Sequence, residues 1–218
     1  GIFDIGINNG LRNRFAEAKA KNNNELAQCY VSTAYAMLSF IFIPILLIFI
    51  IVNQQIDWSK VFNVNSTYAY DLSIAMVIVV SYFCLKFILS TINIILIADQ
   101  KPANSSFRTL CENIASLFVI LLLLQFTEGS IIKLTIALCV VPLLVSFAFN
   151  ISLFRCRYRL YRPKITKVKF SLLPNLLSIG FRFFVIQLAM LIQFQTSSLI
   201  IIRNFGGDDV TLYNVTYK

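Results

Sequence analysis

The chain has 218 residues, of which 58% are hydrophobic and 13% are charged, and its mean hydropathy is +0.76. A soluble domain usually has about 45–50% apolar and about 25% charged residues, so these values exclude an ordinary soluble globule. The net charge of +9 does not indicate a nucleic-acid partner, because the cations lie between hydrophobic blocks and form no basic domain. Histidine is absent, which excludes His-type zinc sites and Ser-His-Asp triads. We expect no nucleic acid, metal or cofactor.

Five apolar blocks are long enough to cross a membrane, which requires about 20 residues of helix. The predicted spans cover residues 27–52, 70–97, 107–126, 131–154 and 177–202. The third span is the least apolar, and its predicted start places Glu112 near the cytoplasmic end. Proline removes a backbone donor, so Pro44 and Pro142 predict kinks in the first and fourth spans.

The distribution of Lys and Arg predicts the orientation, because short cytoplasmic loops carry an excess of these cations. Cations are frequent before the first span, between the second and third, and after the fourth. The stretches on the opposite side carry few. The cations of the rich stretches are Arg12, Arg14, Lys19 and Lys21, then Lys101 and Arg108, then Arg155, Arg157, Arg159, Arg162, Lys164, Lys167 and Lys169. We predict that these three stretches are cytoplasmic.

Lys86 lies near the middle of the second span, where a charge costs about 2.5–3.5 kcal/mol on insertion scales. Asp71 and Asp99 are 15 and 13 residues away, or about 20 Å along the helix, which is too far for an ion pair. Two interpretations stay open: an acid from a helix outside the chain, or an anionic ligand. Tyr82, Ser90 and Asn93 share one helical face with Lys86, which predicts a surface toward the bundle interior or a wet cavity.

Arg182 lies near the start of the fifth span, with Gln193 on the same face. Its side chain could reach the membrane interface, or it could face the same cavity as Lys86. Two cations in one cavity would suit an anionic headgroup such as pyrophosphate. The predicted substrate path therefore comprises Lys86, Arg182, Tyr82, Ser90, Asn93 and Gln193, with no catalytic residue.

Two segments resemble a known family. The run FDIGINNGLRNRFAEAKAKNN over residues 3–23, followed by YVSTAY over residues 30–35, closely resembles the loop between the second and third helices of O-antigen and capsular polysaccharide flippases. The run FRFFVIQLAMLIQFQTSSLIIIRNFGGDDVTLYN over residues 181–214 resembles their seventh helix and the turn that follows it. These flippases belong to the multidrug, oligosaccharidyl-lipid and polysaccharide exporter superfamily.

The resemblance implies an all-α membrane protein with about twelve helices in two lobes, of which this chain would supply helices three to seven and be a fragment. Residues 1–154 would end the N-terminal lobe, residues 155–176 would form a basic cytoplasmic connector, and residues 177–218 would begin the C-terminal lobe. The implied function is translocation of an undecaprenyl-pyrophosphate-linked oligosaccharide, an O-antigen or capsule repeat unit, across the bacterial inner membrane by alternating access. Such a protein would be a transporter and not an enzyme. The implied partners are that lipid-linked oligosaccharide, membrane lipids, and the polysaccharide polymerase and chain-length machinery.

Three other functions fit the sequence less well. A cation-coupled drug exporter of the same superfamily is expected to carry a buried acid, and none is evident from the sequence. A membrane-embedded glycan polymerase or ligase would need a large outer loop, whereas the outer loops here are short. A structural scaffold would not need Lys86 in the middle of the bilayer.

Overall fold

The computed structural model describes residues 6–126 and 129–204, and within those ranges it contains helices and turns but no β-strand. Five helical stretches are long and apolar enough to cross a membrane: Asn24–Asn53, Ser66–Ala98, Pro102–Gln125, Ile131–Arg155 and Phe170–Gln193. The predicted all-α fold with five membrane spans is confirmed at this level. Residues 205–218, where a turn toward a further helix was predicted, lie outside the described residues.

The main helices follow one another with short connections. In chain order they are α1 (Ile7–Ala20), α2 (Asn24–Asn53), α3 (Trp58–Val61), α4 (Ala69–Leu89), α5 (Thr91–Ala98), α6 (Pro102–Phe126), α7 (Ile131–Thr135), α8 (Val141–Arg155) and α9 (Leu173–Asn204). A π-helical turn over Ile136–Val140 joins α7 to α8. The second span is thus α4 plus α5, and the fourth is α7, the π turn and α8.

The irregular points have local causes. The π turn ends two residues before Pro142, where a kink was predicted, because proline cannot donate to the preceding turn. By contrast, α2 continues without a break through Pro44. The third span starts at Pro102 and not near residue 107, since proline is well suited to the first turn of a helix, where its missing donor has no partner.

The three cation-rich stretches lie at one end of the bundle. Lys19 of α1 and Lys101 pair with Asp99, which also accepts a hydrogen bond from the Tyr158 hydroxyl at 2.8 Å. In the connector, Lys167 lies 2.5 Å from the Glu25 carboxylate at the start of α2. These contacts agree with the predicted common sidedness, and this end is called the basic side below.

The opposite end is closed by hydrogen bonds between α2, α3 and α4. The Trp58 indole donates to the Asn53 side-chain oxygen at 2.8 Å, and the Asn53 amide donates to the Ser73 hydroxyl at 2.8 Å. A buried indole N–H needs such a partner. These bonds fix the short loop between the first and second spans.

Most large apolar side chains in the middle of the spans face outward. Phe40 on α2 and Leu124 on α6 are both about three-quarters exposed. In water such exposure would be costly, whereas lipid tails are as apolar as these side chains. The buried apolar core lies instead toward the basic side, where Leu11, Leu38 and Ile95 from α1, α2 and α5 are completely buried.

Among the described residues, the last helix, α9, packs mainly against α1. Backbones approach closely at this crossing, because a Cβ atom on Gly10 would lie 2.0 Å from the Leu176 carbonyl oxygen, and Gly6 faces Gly180 in the same way. Gly6 also has φ 77°, a conformation that glycine adopts at no steric cost. Only glycine fits at these positions.

Candidate functional site

The side chains of Lys86 and Glu112 meet inside the bundle. The Lys86 ammonium on α4 lies 2.5 Å from a Glu112 carboxylate oxygen on α6. Glu112 is ten residues after Pro102, or about 15 Å from the helix start at 1.5 Å per residue. The expectation that Glu112 lies near the end of its span was therefore wrong, because the helix begins earlier than predicted. The counter-charge of Lys86 comes from within this chain.

Arg108 is the third member of this group. Its side chain is 1% exposed, and its Nε atom lies 3.3 Å from the second carboxylate oxygen of Glu112, one helical turn away. Its prediction as a loop cation was wrong for the same reason, the earlier start of α6. We call Lys86, Arg108 and Glu112 the charged cluster. Two cations face one carboxylate, which leaves a formal charge of +1.

The cluster is not saturated with hydrogen bonds. The contact between Arg108 Nε and Glu112 Oε1 has the distance of an ion pair but not the geometry of a hydrogen bond, and the buried Ser116 hydroxyl one turn further along α6 makes none within the described residues. Buried polar atoms are nearly always satisfied by protein or water. These three atoms are therefore available to form hydrogen bonds with a water molecule or with a polar group of a ligand.

A chain of hydrogen bonds runs from the cluster to α2 and α8. The Asn93 N–H donates to the Ser90 carbonyl at 2.9 Å, although Leu89 would be its usual α-helical partner. The Leu89 carbonyl instead accepts from Arg108 at 3.4 Å and from the Asn150 amide at 3.0 Å. The Tyr35 hydroxyl donates to the Asn150 side-chain oxygen at 3.0 Å. The break between α4 and α5 thus supplies an acceptor that connects three other helices.

The predicted stripe on the second span is only partly gathered at the cluster. The Lys86 ammonium lies 5.9 Å from the Tyr82 ring centroid, within cation–π range. The Ser90 hydroxyl donates to the Phe87 carbonyl of the same span at 2.8 Å, and this bond does not involve the charged cluster. The Asn93 side-chain oxygen is buried and makes no hydrogen bond among the described residues.

Arg182 and Gln193 do not join this group in the structure. Both side chains are exposed on α9, and α9 packs mainly against α1, whereas Lys86 lies on α4. The hypothesis of a single cavity containing Lys86 and Arg182 is not tested by these contacts, and it stays a prediction.

The sequence contained an unused signal for the missed residues. Arg108, Glu112 and Ser116 are spaced by four residues along α6, and Ser146 and Asn150 have the same spacing on α8. All five are buried. Polar residues at every fourth position of an apolar helix lie on one face, which indicates that the face points into the bundle.

A second ionic group holds the basic side together around Asp99. The Asp99 side chain is 5% exposed and contacts Lys19, Lys101 and the Tyr158 hydroxyl. Burial, together with the nearby cations Lys101 and Arg157, lowers the pKa of Lys19, and burial raises the pKa of Tyr158. This group joins α1, the turn before α6 and the connector, so its role is structural.

Across the described ranges, no group of three or more Cys, Asp or Glu side chains could hold a metal ion. Comparison with protein-family models, curated proteins and solved structures finds no match. The functional proposal therefore depends on the geometry of the charged cluster and on the sequence resemblance.

Proposed function

We propose that this chain is part of a flippase that translocates an undecaprenyl-pyrophosphate-linked oligosaccharide, an O-antigen or capsule repeat unit, across the bacterial inner membrane by alternating access. In this proposal the five spans are helices three to seven of a twelve-helix exporter with two lobes, and the protein is not an enzyme. The support comes from the two family-like segments, the five apolar spans and the charged cluster.

The charged cluster is the observation that carries the proposal. Ionisable side chains inside membrane spans are costly and commonly mark a transport path. Here one carboxylate, Glu112, faces two cations, the partly exposed Lys86 and the buried Arg108, so an anionic headgroup that came near either cation would meet net positive charge. A guanidinium group binds phosphate oxygens through two parallel hydrogen bonds. This chemistry fits the pyrophosphate of the proposed substrate.

The packing of α9 supports the proposed division into lobes. Spans one to four contact one another, whereas α9 is held mainly by α1. After Gly180, no described side chain of α9 is buried. A helix that is exposed on several sides fits the first member of a second lobe, with residues 155–176 as the connector, residues 1–154 before it and residues 177–218 after it.

A cation-coupled drug exporter is a second candidate, and Glu112 favours it. No buried acid is evident from the sequence alone, yet the Glu112 side chain is only 6% exposed in the structure. Such a carboxylate could exchange a proton or a cation as the helices move. Drug resistance of cells that carry Glu112→Gln distinguishes the two functions. If the protein is a drug exporter, this variant should abolish drug efflux. If the protein is a flippase, drug resistance should be unchanged.

The remaining alternatives gain no support. The described outer residues 54–68 contain only the short helix α3 and a single 3₁₀ turn, which leaves little room for the catalytic loop of a polymerase or ligase. Lys86 alone does not exclude a structural scaffold, because Glu112 supplies its counter-charge. The unsaturated cluster and the excess cation are the features that a scaffold would not need.

The proposal is tested in a strain whose surface glycan depends on the complete protein. Lys86→Ala and Arg182→Ala should each abolish surface glycan, Lys86→Arg should retain part of it, and the exposed control Lys133→Ala should behave as the unmodified protein. Membrane levels of each variant are measured by immunoblot. Normal surface glycan from both Lys86→Ala and Arg182→Ala would remove the predicted substrate path.

A further inference from the structure

A separate pocket opens on the basic side between α2, α8 and the connector. It has a volume of about 300 Å³, and its polar lining consists of Tyr35, Asn150, Arg155 and Arg162. Leu89, Phe154 and other apolar side chains complete the wall. We call this the connector pocket. It lies outside the predicted substrate path.

Two cationic side chains, Arg155 and Arg162, line the connector pocket. Within the described residues, neither Arg155 nor Arg162 forms an ion pair, and both side chains are exposed. Arg155 is the last residue of α8, so its position is also favoured by the negative end of the helix dipole. Two unpaired guanidinium groups beside one concave surface provide a strong site for an anion with several oxygens.

The walls of the pocket are fixed before any ligand arrives. The Gln28 amide donates to the Arg162 backbone carbonyl at 2.9 Å, and the Ser32 hydroxyl accepts from the Lys164 N–H at 3.1 Å. The pocket floor is held by the hydrogen bond from Tyr35 to Asn150. Preorganisation lowers the ordering cost of binding. The connector, which the resemblance implied only as a basic cytoplasmic segment, forms one wall of the pocket.

The apolar residues of the lining indicate the kind of molecule to which the anionic group is attached. Ile151 lines the pocket and is also exposed on the outward surface of α8, where lipid tails would lie. A ligand with a phosphate group at the two arginines and an acyl or isoprenoid chain across Ile151 would satisfy both halves. We propose that the connector pocket binds the phosphate group of a membrane lipid on the basic side of the protein.

The inference does not depend on transport, because it concerns binding alone. The pocket floor nevertheless shares an acceptor with the charged cluster, since Asn150 and Arg108 both donate to the Leu89 carbonyl. The pocket floor is therefore connected to the buried Arg108 side chain through a single shared carbonyl.

The test uses the complete protein in detergent, with lipid binding measured by native mass spectrometry. The probes are phosphatidic acid, phosphatidylcholine as a lipid whose phosphate is masked by choline, and inorganic pyrophosphate as a soluble anion. The pocket variant is Arg155→Gln with Arg162→Gln. The matched control is Arg157→Gln with Arg159→Gln, which removes two exposed cations from the same connector without touching the pocket lining.

We expect phosphatidic acid to bind at least about tenfold more tightly than phosphatidylcholine, and the pocket variant to lose at least about tenfold in affinity, as two charge-assisted contacts would require. The control variant should bind as the unmodified protein. If phosphatidic acid binds and pyrophosphate does not, the pocket recognises a phosphate group that is attached to a lipid. If pyrophosphate displaces phosphatidic acid, the phosphate group alone is sufficient for binding. Equal losses in the pocket and control variants, or no preference for phosphatidic acid, would overturn the inference. Phosphate binding by a protein that fails to restore surface glycan would contradict only the transport proposal.

Discussion

The ammonium group of Lys86 lies 2.5 Å from the carboxylate of Glu112, on neighbouring helices of the membrane bundle. A charge at this depth in a single helix would be costly, and the contact explains how the second and third spans can both carry one. The same carboxylate faces Arg108 at 3.3 Å. One acid therefore serves two cations, and its removal should matter more than the removal of either cation.

The first prediction concerns the stability lost when Glu112 is replaced, compared with the stability lost when Lys86 is replaced. Glu112→Gln leaves the buried Arg108 and the partly exposed Lys86 without a counter-charge, and breaking a buried ion pair from one side costs about 3–5 kcal/mol. Lys86→Gln leaves Glu112 paired with Arg108 and should cost less. Thermal unfolding in detergent should therefore rank the unmodified protein above Lys86→Gln, and Lys86→Gln above Glu112→Gln.

Two further variants make this comparison specific. The double variant Lys86→Gln with Glu112→Gln should lose less stability than the sum of the single losses, because the two side chains interact directly. Lys133→Gln, which removes an exposed cation, should change stability by less than about 0.5 kcal/mol. Additive losses in the double variant would contradict the ion pair.

The sequence predicted the spans well because each is a long apolar block, which is a strong signal in a membrane protein. It also showed that no acid on the same helix can pair with Lys86, but the expected acid lay outside the chain, whereas Glu112 belongs to it. It does not identify Glu112 as a buried acid, because the polar residues before position 107 resemble a loop, although Pro102 favours a helix start. The pairing across helices and the connector pocket depend on tertiary packing, which hydropathy does not report.

The second prediction concerns the crossing of α1 and α9. Gly10→Ala would place a Cβ atom 2.0 Å from the Leu176 carbonyl oxygen, and overpacking of this kind costs about 1–3 kcal/mol. We expect α1 to loosen from α9, so that trypsin cleaves faster after Arg12 and Arg14. The control is Gly129→Ala, where a Cβ atom would meet nothing within 4 Å. Equal cleavage rates for both variants would argue against the tight crossing.

The third prediction concerns the ionic group at the basic side. Asp99→Asn removes the carboxylate shared by Lys19, Lys101 and Tyr158. The expected loss is about 1–3 kcal/mol, because the carboxylate is buried while its two lysine partners are partly exposed. The midpoint of thermal unfolding should fall clearly below that of Asp57→Asn. That variant removes an exposed carboxylate that pairs with Lys60 and caps α3 through Ser59, and Asn is an equally good helix cap. An unchanged midpoint for Asp99→Asn would show that the group does not hold the connector.

The fourth prediction concerns pH. Burial raises the pKa of Tyr158 above its ordinary value, so its contribution to stability is fully present below the unfolded-state pKa of about 10 and is lost as the pH rises through the higher folded-state value. Tyr158→Phe removes the hydrogen bond to Asp99 and should cost about 1 kcal/mol. This difference should stay constant between about pH 6 and pH 9 and shrink above about pH 10. Chemical unfolding of both proteins over this range would reveal it, and a difference that grew with alkaline pH would have the wrong sign.

The central claim is that the protein moves a lipid-linked glycan from one membrane face to the other. The most direct measurement is the sidedness of undecaprenyl-linked repeat units in cells that lack the complete protein, read by access of an impermeant glycan-modifying enzyme to intact cells and to inverted membrane vesicles. We predict that the repeat units accumulate on the cytoplasmic face, reached only in inverted vesicles, and that the intact gene restores them to the outer face. Accumulation on the outer face in the deletion strain would contradict flipping and indicate a later step, such as polymerisation.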